Sequence, residues 1–494
     1  MIIKLTIATL SVLVTAGYLI ALWGRPYLFI ILFPVVAIAA LILGFVMVFV
    51  ITKTIFWKLL RLVAKRDFTK DDNVRVTANV LIGFTLFVIS VAFVIVASVK
   101  LQTGKVDQGA RNPSLKTIKT LPYLAWRPAQ KTINKRGVTI YNTEKASEGI
   151  NVCASVGASG VHLMDMKGKV LHTWNANDMN DTWHAMVRLC PNGDLLAIAE
   201  SRNLIRLNWD SNVKWVNKMR FHHEISLAEN GDIYAMARKD EIRFIRGLPV
   251  PVLNDYIVII SPDGIVKREM SLFEPAKDYI TPEKVMEMYR WITKSDNKKK
   301  LYKSSRLRDY IFGVGSIFDI FHANTITIID REIQGLCRKG DLLICIRELD
   351  LVGILDFETE KFIWTWGPGE LSRPHHPTLL ENGNILVFDN GRIREYSRVI
   401  ELDPKSQKIL WEYKATPPRN FYSRIMGACQ RLPNGNTLIT ESDKSRVFEV
   451  TPTGRVVWEF YNPYVDLKKK TRAVIYRMAR ITDKEKYPCL KGLY

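Results

Sequence analysis

The chain has 494 residues, 48% hydrophobic and 24% charged, and its 70 Lys+Arg against 49 Asp+Glu give a net charge of +21. These fractions are those of an ordinary globular protein and exclude disorder, a collagen-like chain or a small disulfide scaffold as the main class. The six Cys form no CxxC pair and no metal-ligand spacing, which argues against a zinc ribbon.

Residues 5–23, 27–51 and 78–98 are almost purely apolar. Each is long enough to cross about 30 Å of hydrocarbon as a helix. The first could serve as a signal peptide behind Lys4, but its apolar run is long for that, and Gly24-Arg25-Pro26 turns straight into the second. Between the second and third stand Lys53, Lys58, Arg61, Lys65, Arg66, Lys70 and Arg75. The positive-inside rule places that loop, and with it the N-terminus, in the cytoplasm. Everything after Lys100 is then expected on the periplasmic or extracellular side of the inner (cytoplasmic) membrane. No charged residue interrupts the spans, so residues 1–100 read as an anchor in membrane lipid rather than a transport path.

Residues 101–136 have no period and read as a linker; residues 137–480 repeat. Strand, tight turn and a strand ending in a large side chain recur from Val161 to Trp174, Ile205 to Trp215, Ile257 to Met270, Leu351 to Trp366, Arg398 to Trp411 and Arg446 to Trp458. Between them lie hairpin turns at Asn192-Gly193, Asn230-Gly231, Asn382-Gly383 and Asn434-Gly435, with Lys339-Gly340 as a variant. The Asn-Gly pairs are expected to place both turn residues at positive φ. Four-stranded units every 40–50 residues or so are the signature of a β-propeller. The expected fold is therefore all-β, a six-bladed β-propeller preceded by three transmembrane α-helices. Residues 137–157 are expected to supply the strands missing from the first unit, and 481–494 a C-terminal tail.

An insertion at about 267–318 holds a predicted helix from Pro282 and a basic run from Lys298 to Arg308. A second basic stretch runs from Leu467 to Arg480. Both could meet a membrane surface or a partner, or be solvated faces capped by helices. The outer part keeps +14 of the charge, but no motif supports nucleic-acid binding.

The histidines carry the candidate chemistry. His223 and His375 stand seven residues before the Asn of their hairpin turns, His184 stands eight before, and His322 opens the unit with Lys339-Gly340. The next unit has Gly427 at the seven-before position. The first strand of a propeller blade lines the channel, so these side chains should converge on one axis. A blander reading has them bonding neighbouring strands at blade edges. His162 and His172 fall on outer strands and read as structural. Arg347 lies in a mostly apolar run, Leu342 to Val352, where an unpaired cation is costly; an anion or a carboxylate such as Glu348 should stand beside it.

The repeats, with Phe221-HHEISLAENGDIYAM, Phe321-HANT, Ile344-CIRELDLVGILD and Pro374-HHPTLLENGNILVFDNG, resemble the bacterial arylsulfate sulfotransferases over about residues 137–480. That resemblance implies a six-bladed propeller that moves a sulfuryl group between a small phenolic sulfate and a phenol through a sulfo-histidine, with no cofactor. It implies His375 as nucleophile, with His376 beside it as the other member of the doublet, His223 and His322 as flanking histidines and Arg347 as the channel arginine. Asn324, His184 and His222 are the expected substrate-binding set. Two other readings stay open: a metal on the axis held by His184, His223, His322 and His375 for oxidoreductase chemistry, with Glu224 as an outer carboxylate, or a non-catalytic platform in a membrane complex with a membrane protein or a second copy.

Overall fold

A computed structural model describes residues 126–156, 160–175, 183–199, 202–246, 248–286 and 319–493. The three apolar spans and the basic run at 298–308 lie outside the described residues. Among those described, no helix is long and apolar enough to cross a membrane. The chain divides into two compact units, 1–111 and 112–494, and all described residues belong to the second.

The second unit is built from strands. Six antiparallel sheets follow one another along the chain, each with four strands in sequence order, apart from exchanges at the termini. The second sheet runs Trp183–Leu189, Leu195–Ala199, Leu204–Leu207, Val213–Asn217, and the third Phe221–Leu227, Ile233–Ile245, Leu248–Ile260, Val266–Ser271. The fourth runs Ala323–Ile328, Leu342–Ile346, Leu351–Asp356, Lys361–Trp366, and the fifth His375–Leu379, Ile385–Asp389, Arg398–Asp403, Lys408–Tyr413. The sixth runs Ala428–Arg431, Thr437–Glu441, Arg446–Val450, Val456–Tyr461, with Gly137–Tyr141 added outside. The first sheet takes its leading strand from the far end of the chain: Ile475–Ile481 pairs with Ile150–Ser155, followed by Gly160–Met164 and Val170–Asn175. The leading strand of each sheet neighbours that of the next, and Ile475–Ile481 neighbours those of both the sixth and the second.

The core lies between the sheets. Middle strands such as Leu195–Ala199 and Ile385–Asp389 are buried at every position, as expected of strands covered on both faces. One apolar cluster packs the third sheet on the fourth through Met270, Phe273, Phe321 and Ile344. Another packs the sixth on the first through Trp458, Val447, Met164 and Met478.

The large outer-strand residues do a second job. Trp174 donates its indole N–H to the Asn208 carbonyl at 3.1 Å, Trp215 to Pro262 at 2.8 Å, Trp364 to Pro404 at 3.0 Å, Trp411 to Pro452 at 2.7 Å, and Trp458 to Met166 at 2.8 Å. Each acceptor is a hairpin turn in the next sheet, and the last bond runs from the sixth sheet to the first. The third sheet ends in Met270 and has no indole there. Its Arg268 reaches the fourth sheet instead, 2.6 Å from Glu360 Oε1 and stacked over the Phe357 ring.

Several expectations change. In the Asn-Gly turns only the glycine is left-handed: Gly193, Gly231, Gly383 and Gly435 have φ of 84–90°, while the preceding Asn does not. Each Asn instead accepts the amide two residues on, as Asn230 Oδ1 does from Asp232 N at 3.0 Å. The turns are thus a normal turn plus one left-handed glycine. Only part of 137–157 fills the first sheet, because its leading strand is Ile475–Ile481. The basic stretch from Leu467 to Arg480 is therefore strand and turn rather than a helical surface face; Arg472 and Arg480 are buried. The stretch read as a linker is structured from Trp126, where Trp126–Pro128 pairs with Thr471–Ala473. The tail packs as well, with Leu490 buried against the first two sheets. A helix does begin at 282, with Thr281 Oγ1 accepting from Lys284 N.

Candidate functional site

The leading strands share an irregularity at their start. Pairing slips between Phe221 and Ile225, between Ala323 and Thr325, and between His375 and Thr378. His223, His322 and His376 have positive φ of 58°, 45° and 48°. Such bulges re-aim side chains that simple alternation would hide, and they gather at functional sites. The register also revises the expected equivalence. Counting four residues back from Leu227, Ile328 and Leu379, the first paired residue of each hairpin, gives His223, Asn324 and His375. Asn324 is thus the counterpart of the two histidines, and His322 stands two residues before it, just outside the strand. In the sixth sheet the matching residue is Gly427, where a Cβ would meet the Phe388 ring at 2.4 Å. No histidine fits there.

His375 is buried and its two nitrogens are unequal. Nδ1 lies 2.7 Å from Asn390 Oδ1 and 3.1 Å from the Arg373 carbonyl. Asn390 donates its amide to the carbonyls of Ser423 at 2.6 Å and Met426 at 2.8 Å, so its oxygen must face His375. Both neighbours of Nδ1 are acceptors, so Nδ1 carries the proton and Nε2 the lone pair. Nε2 is buried with no hydrogen-bond partner. Burial, and then the Arg347 charge, hold this imidazole down to about 3, so it is neutral at physiological pH.

His376 parts from it. Its Nδ1 lies 2.8 Å from the Cys429 carbonyl, and the ring lines a cavity of about 330 Å³ with Glu224, Arg477, Arg188 and Gln430. That cavity runs toward the ends of the leading strands and does not include His375. The doublet is therefore split between two environments.

His222, His223 and His322 join into a chain. His222 Nδ1 is 2.8 Å from His223 Nδ1, His223 Nε2 is 3.1 Å from His322 Nε2, and His322 Nδ1 makes a short contact with Asp319 Oδ2. His222 Nε2 lies 3.1 Å from Asp255 Oδ1. Burial comes first among the causes that lower these rings: His222 to about 4, with Arg238 helping, and His223 and His322 well below the usual imidazole range. Tyr476 closes one side, its ring centroid 6.0 Å from that of His223.

Arg347 does not lie within the strand, which ends at Ile346, but in the single 3-10 turn Arg347–Leu349 after it. Its guanidinium donates to Glu348 Oε1 from Nη2 at 2.9 Å. Glu348 also holds Arg373 and, at 3.0 Å, Lys284. Three cations thus share one carboxylate, whose acid is held down to about 2 against its burial, with Arg347 the largest lowering cause. The anticipated carboxylate is present, and the cluster retains positive charge.

Asn324 is a brace rather than a free substrate ligand: its amide donates to the Pro374 carbonyl at 2.8 Å and its oxygen accepts from Thr325 Oγ1. His222 is wholly buried within the chain of rings, between His223 and Asp255. His184 falls on Trp183–Leu189, and its side chain lies outside what is described. Glu224 binds Arg477 through both oxygens, at 3.0 and 2.7 Å. Among the described residues no three His, Cys, Asp or Glu are placed to hold one metal ion. His162 and His172 are structural as expected, bonded to Tyr464 Oη at 2.9 Å and to the Trp209 carbonyl at 3.0 Å.

Sequence reasoning missed Asn390, Arg238, Asp255, Asp319 and Tyr476. One signal was there for Asp255: it interrupts the apolar run from Val250 to Ile260.

A family profile described as arylsulfotransferase (ASST) matches residues 192–463, more than half of the chain. No curated protein matches at a significant level. Solved structures with a likeness include a protein of unknown function from Bacteroides caccae, 12% identical, covering 68% of this chain and 100% of its own, TM-score 0.43. A streptogramin B lyase is 12% identical over 72% of this chain and 97% of its own, TM-score 0.39. The nidogen/laminin complex contributes a chain 10% identical, covering 68% of this chain and 99% of its own, TM-score 0.39.

Proposed function

The chain belongs to the arylsulfotransferase family, and from that premise we propose that it carries a sulfuryl group from a phenolic sulfate to a phenolic acceptor through a covalent intermediate on His375. The observation that carries this is the buried Nε2 of His375, unpartnered, with its lone pair fixed by Asn390 at Nδ1. A nucleophile needs that tautomer, and sulfuryl transfer needs positive charge around the spreading oxygens. Arg347, with Arg373 and Lys284 behind it on Glu348, supplies that charge.

In the first step the lone pair of Nε2 forms an N–S bond as the S–O bond to the donor phenol breaks. In the second, the acceptor oxygen attacks sulfur and His375 leaves. The phenolate released first takes up a proton, and the acceptor phenol gives one up. We read the six sheets as a six-bladed propeller, supported by the succession of leading strands and by the indole bonds that run from the outer strands of five sheets to a turn of the next. We also propose, on the apolar segments and their flanking charges, that residues 1–100 anchor this unit in the inner membrane on its outer side.

The test is nitrophenol release from 4-nitrophenyl sulfate by the detergent-purified full chain, with and without phenol, beside His375→Ala and His376→Ala. Acceptor-dependent release lost in His375→Ala and kept in His376→Ala is expected. Loss only in His376→Ala would move the chemistry to the other cavity. No release by the folded wild-type chain with several phenols would sink the reading.

A further inference from the structure

The three linked imidazoles pose a counting problem. Along the line Asp255, His222, His223, His322, Asp319 there are four contacts, two of 3.1 Å, one of 2.8 Å and one shorter. Each contact joins two atoms that both bear lone pairs, so each is favourable only with a hydrogen between them. Three neutral imidazoles bring three hydrogens. One contact must then set a nitrogen lone pair against a second lone pair.

The same residues form a closed ring. Arg238 Nε lies 2.8 Å from Asp255 Oδ1, and its Nη1 lies 3.4 Å from Asp319 Oδ2. One arginine and two carboxylates leave this ring, largely buried except at Asp319, at −1 when all three imidazoles are neutral. A fourth hydrogen fills the last contact and brings the ring to zero. Unbalanced charge in such a place is costly.

We propose that His222, His223 and His322 hold one proton in common beyond their three, and that this proton is the acid and base of the sulfuryl transfer. The proposal deepens the sulfotransferase reading and rests on it for its catalytic half. Burial lowers each ring taken singly, but the extra proton belongs to the chain, whose ends are two carboxylates, rather than to any one ring. Facing it are Asp255 and Asp319, which favour it, and Arg238, Arg347, His375 and the Arg202 charge, which oppose it. Tyr476 flanks it on the remaining side.

The balance runs as a cycle. With four hydrogens, His322 is doubly protonated, toward His223 through Nε2 and toward Asp319 through Nδ1. When the N–S bond forms on His375, the departing phenolate takes the Nε2 hydrogen of His322 and leaves as phenol. The chain now holds three, and the empty contact is the one between His223 and His322, because a hydrogen crosses a contact but does not pass from one nitrogen of a ring to the other. When the acceptor phenol attacks sulfur, its proton returns to His322 Nε2 and fills that contact again. His322 touches the reacting oxygen. His222, buried two rings away, is a positioning residue that acts only through the chain.

The experiment has two arms. The first labels histidine with ¹⁵N in the full chain and records imidazole protonation near pH 7 without substrate. One imidazolium among the eight His, persisting well above pH 6.5 and absent in His222→Leu, is expected. Only neutral rings in the folded wild-type chain would overturn the proposal whatever the activity. The second compares two donors in His222→Leu. General acid catalysis matters more as the leaving phenol becomes more basic. Transfer from 4-methylphenyl sulfate should therefore fall about tenfold further than transfer from 4-nitrophenyl sulfate. Equal losses would mean that His222 only packs. A wild-type chain that turns over neither donor would remove the sulfotransferase reading, and the labelled spectrum would still decide the proton count.

Discussion

At the scale of single residues, the site depends on the orientation of His375 more than on its presence. Asn390 is held by two carbonyls, so it cannot turn its amide toward the ring without losing both. Asn390→Ala should let the ring adopt the other tautomer, with the proton on Nε2. Removing an orienting partner of this kind costs activity while leaving binding largely intact, so kcat should fall on the order of 10²-fold with little change in KM. Steady-state kinetics on both substrates would check it; a fall in 1/KM alone would contradict the tautomer argument. The same histidine predicts a pH dependence. Its acid form is held down to about 3 in the fold, against an ordinary imidazole near 6.5. The unfolded chain therefore binds a proton that the folded chain refuses between those limits, and stability must fall as pH drops from about 6.5 toward 3. Urea unfolding of wild type should show that slope, and His375→Gln should flatten it. His375 was legible in the sequence through its spacing and the family resemblance. Asn390 was not, because an Asn before Gly391 reads first as a turn.

Among elements, the outer strands connect neighbouring sheets through one repeated bond. An indole N–H on a carbonyl contributes about 1 kcal/mol when neither partner can reach water instead. Trp458 is buried, and its bond to Met166 joins the last sheet to the first. Trp458→Phe removes the donor, leaves the ring volume nearly intact, and orphans one carbonyl. It should lower the unfolding free energy by roughly 1–2 kcal/mol, read from urea melts. Trp411→Phe should cost less, since its bond to Pro452 is open to solvent. The repeat spacing revealed the six units because each brings its own turn and large terminal residue. What stayed hidden was the exchange of strands at the ends. Ile475–Ile481 carries Arg477 and Arg480 between apolar neighbours, and its charge pattern read as surface. Only the carboxylates of other sheets, Glu224 and Glu449, explain how those arginines are buried. A local reading has no access to partners about 30 to 250 residues away.

For the molecule as a whole, the consequence is that the first and last sheets are held together by a charge pair as well as by apolar packing. Arg480, on the leading strand of the first sheet, meets Glu449 of the sixth, and both side chains are fully buried. Glu449 also accepts from Ser147 N at 2.8 Å and Asn436 Nδ2 at 2.6 Å, while Arg480 donates to Asn151 Oδ1 at 3.0 Å. The guanidinium lies over the Trp458 ring, 4.7 Å from its centre, beside the indole bond already described. Removing one partner from such a pair leaves a buried charge with nothing opposite it, which costs about 3–5 kcal/mol. Glu449→Ala should therefore destabilise the chain on that scale. Replacing both partners, as Glu449→Leu with Arg480→Met, should recover most of the loss, since desolvating the pair offsets much of its attraction. The contrast is Lys339 with Glu229, 2.7 Å apart but largely exposed. Glu229→Ala should change nothing measurable, because water and salt already screen that pair. Urea melts of the four chains decide it. If Glu449→Ala were as mild as Glu229→Ala, the contact between the first and last sheets would not be what stabilises the unit.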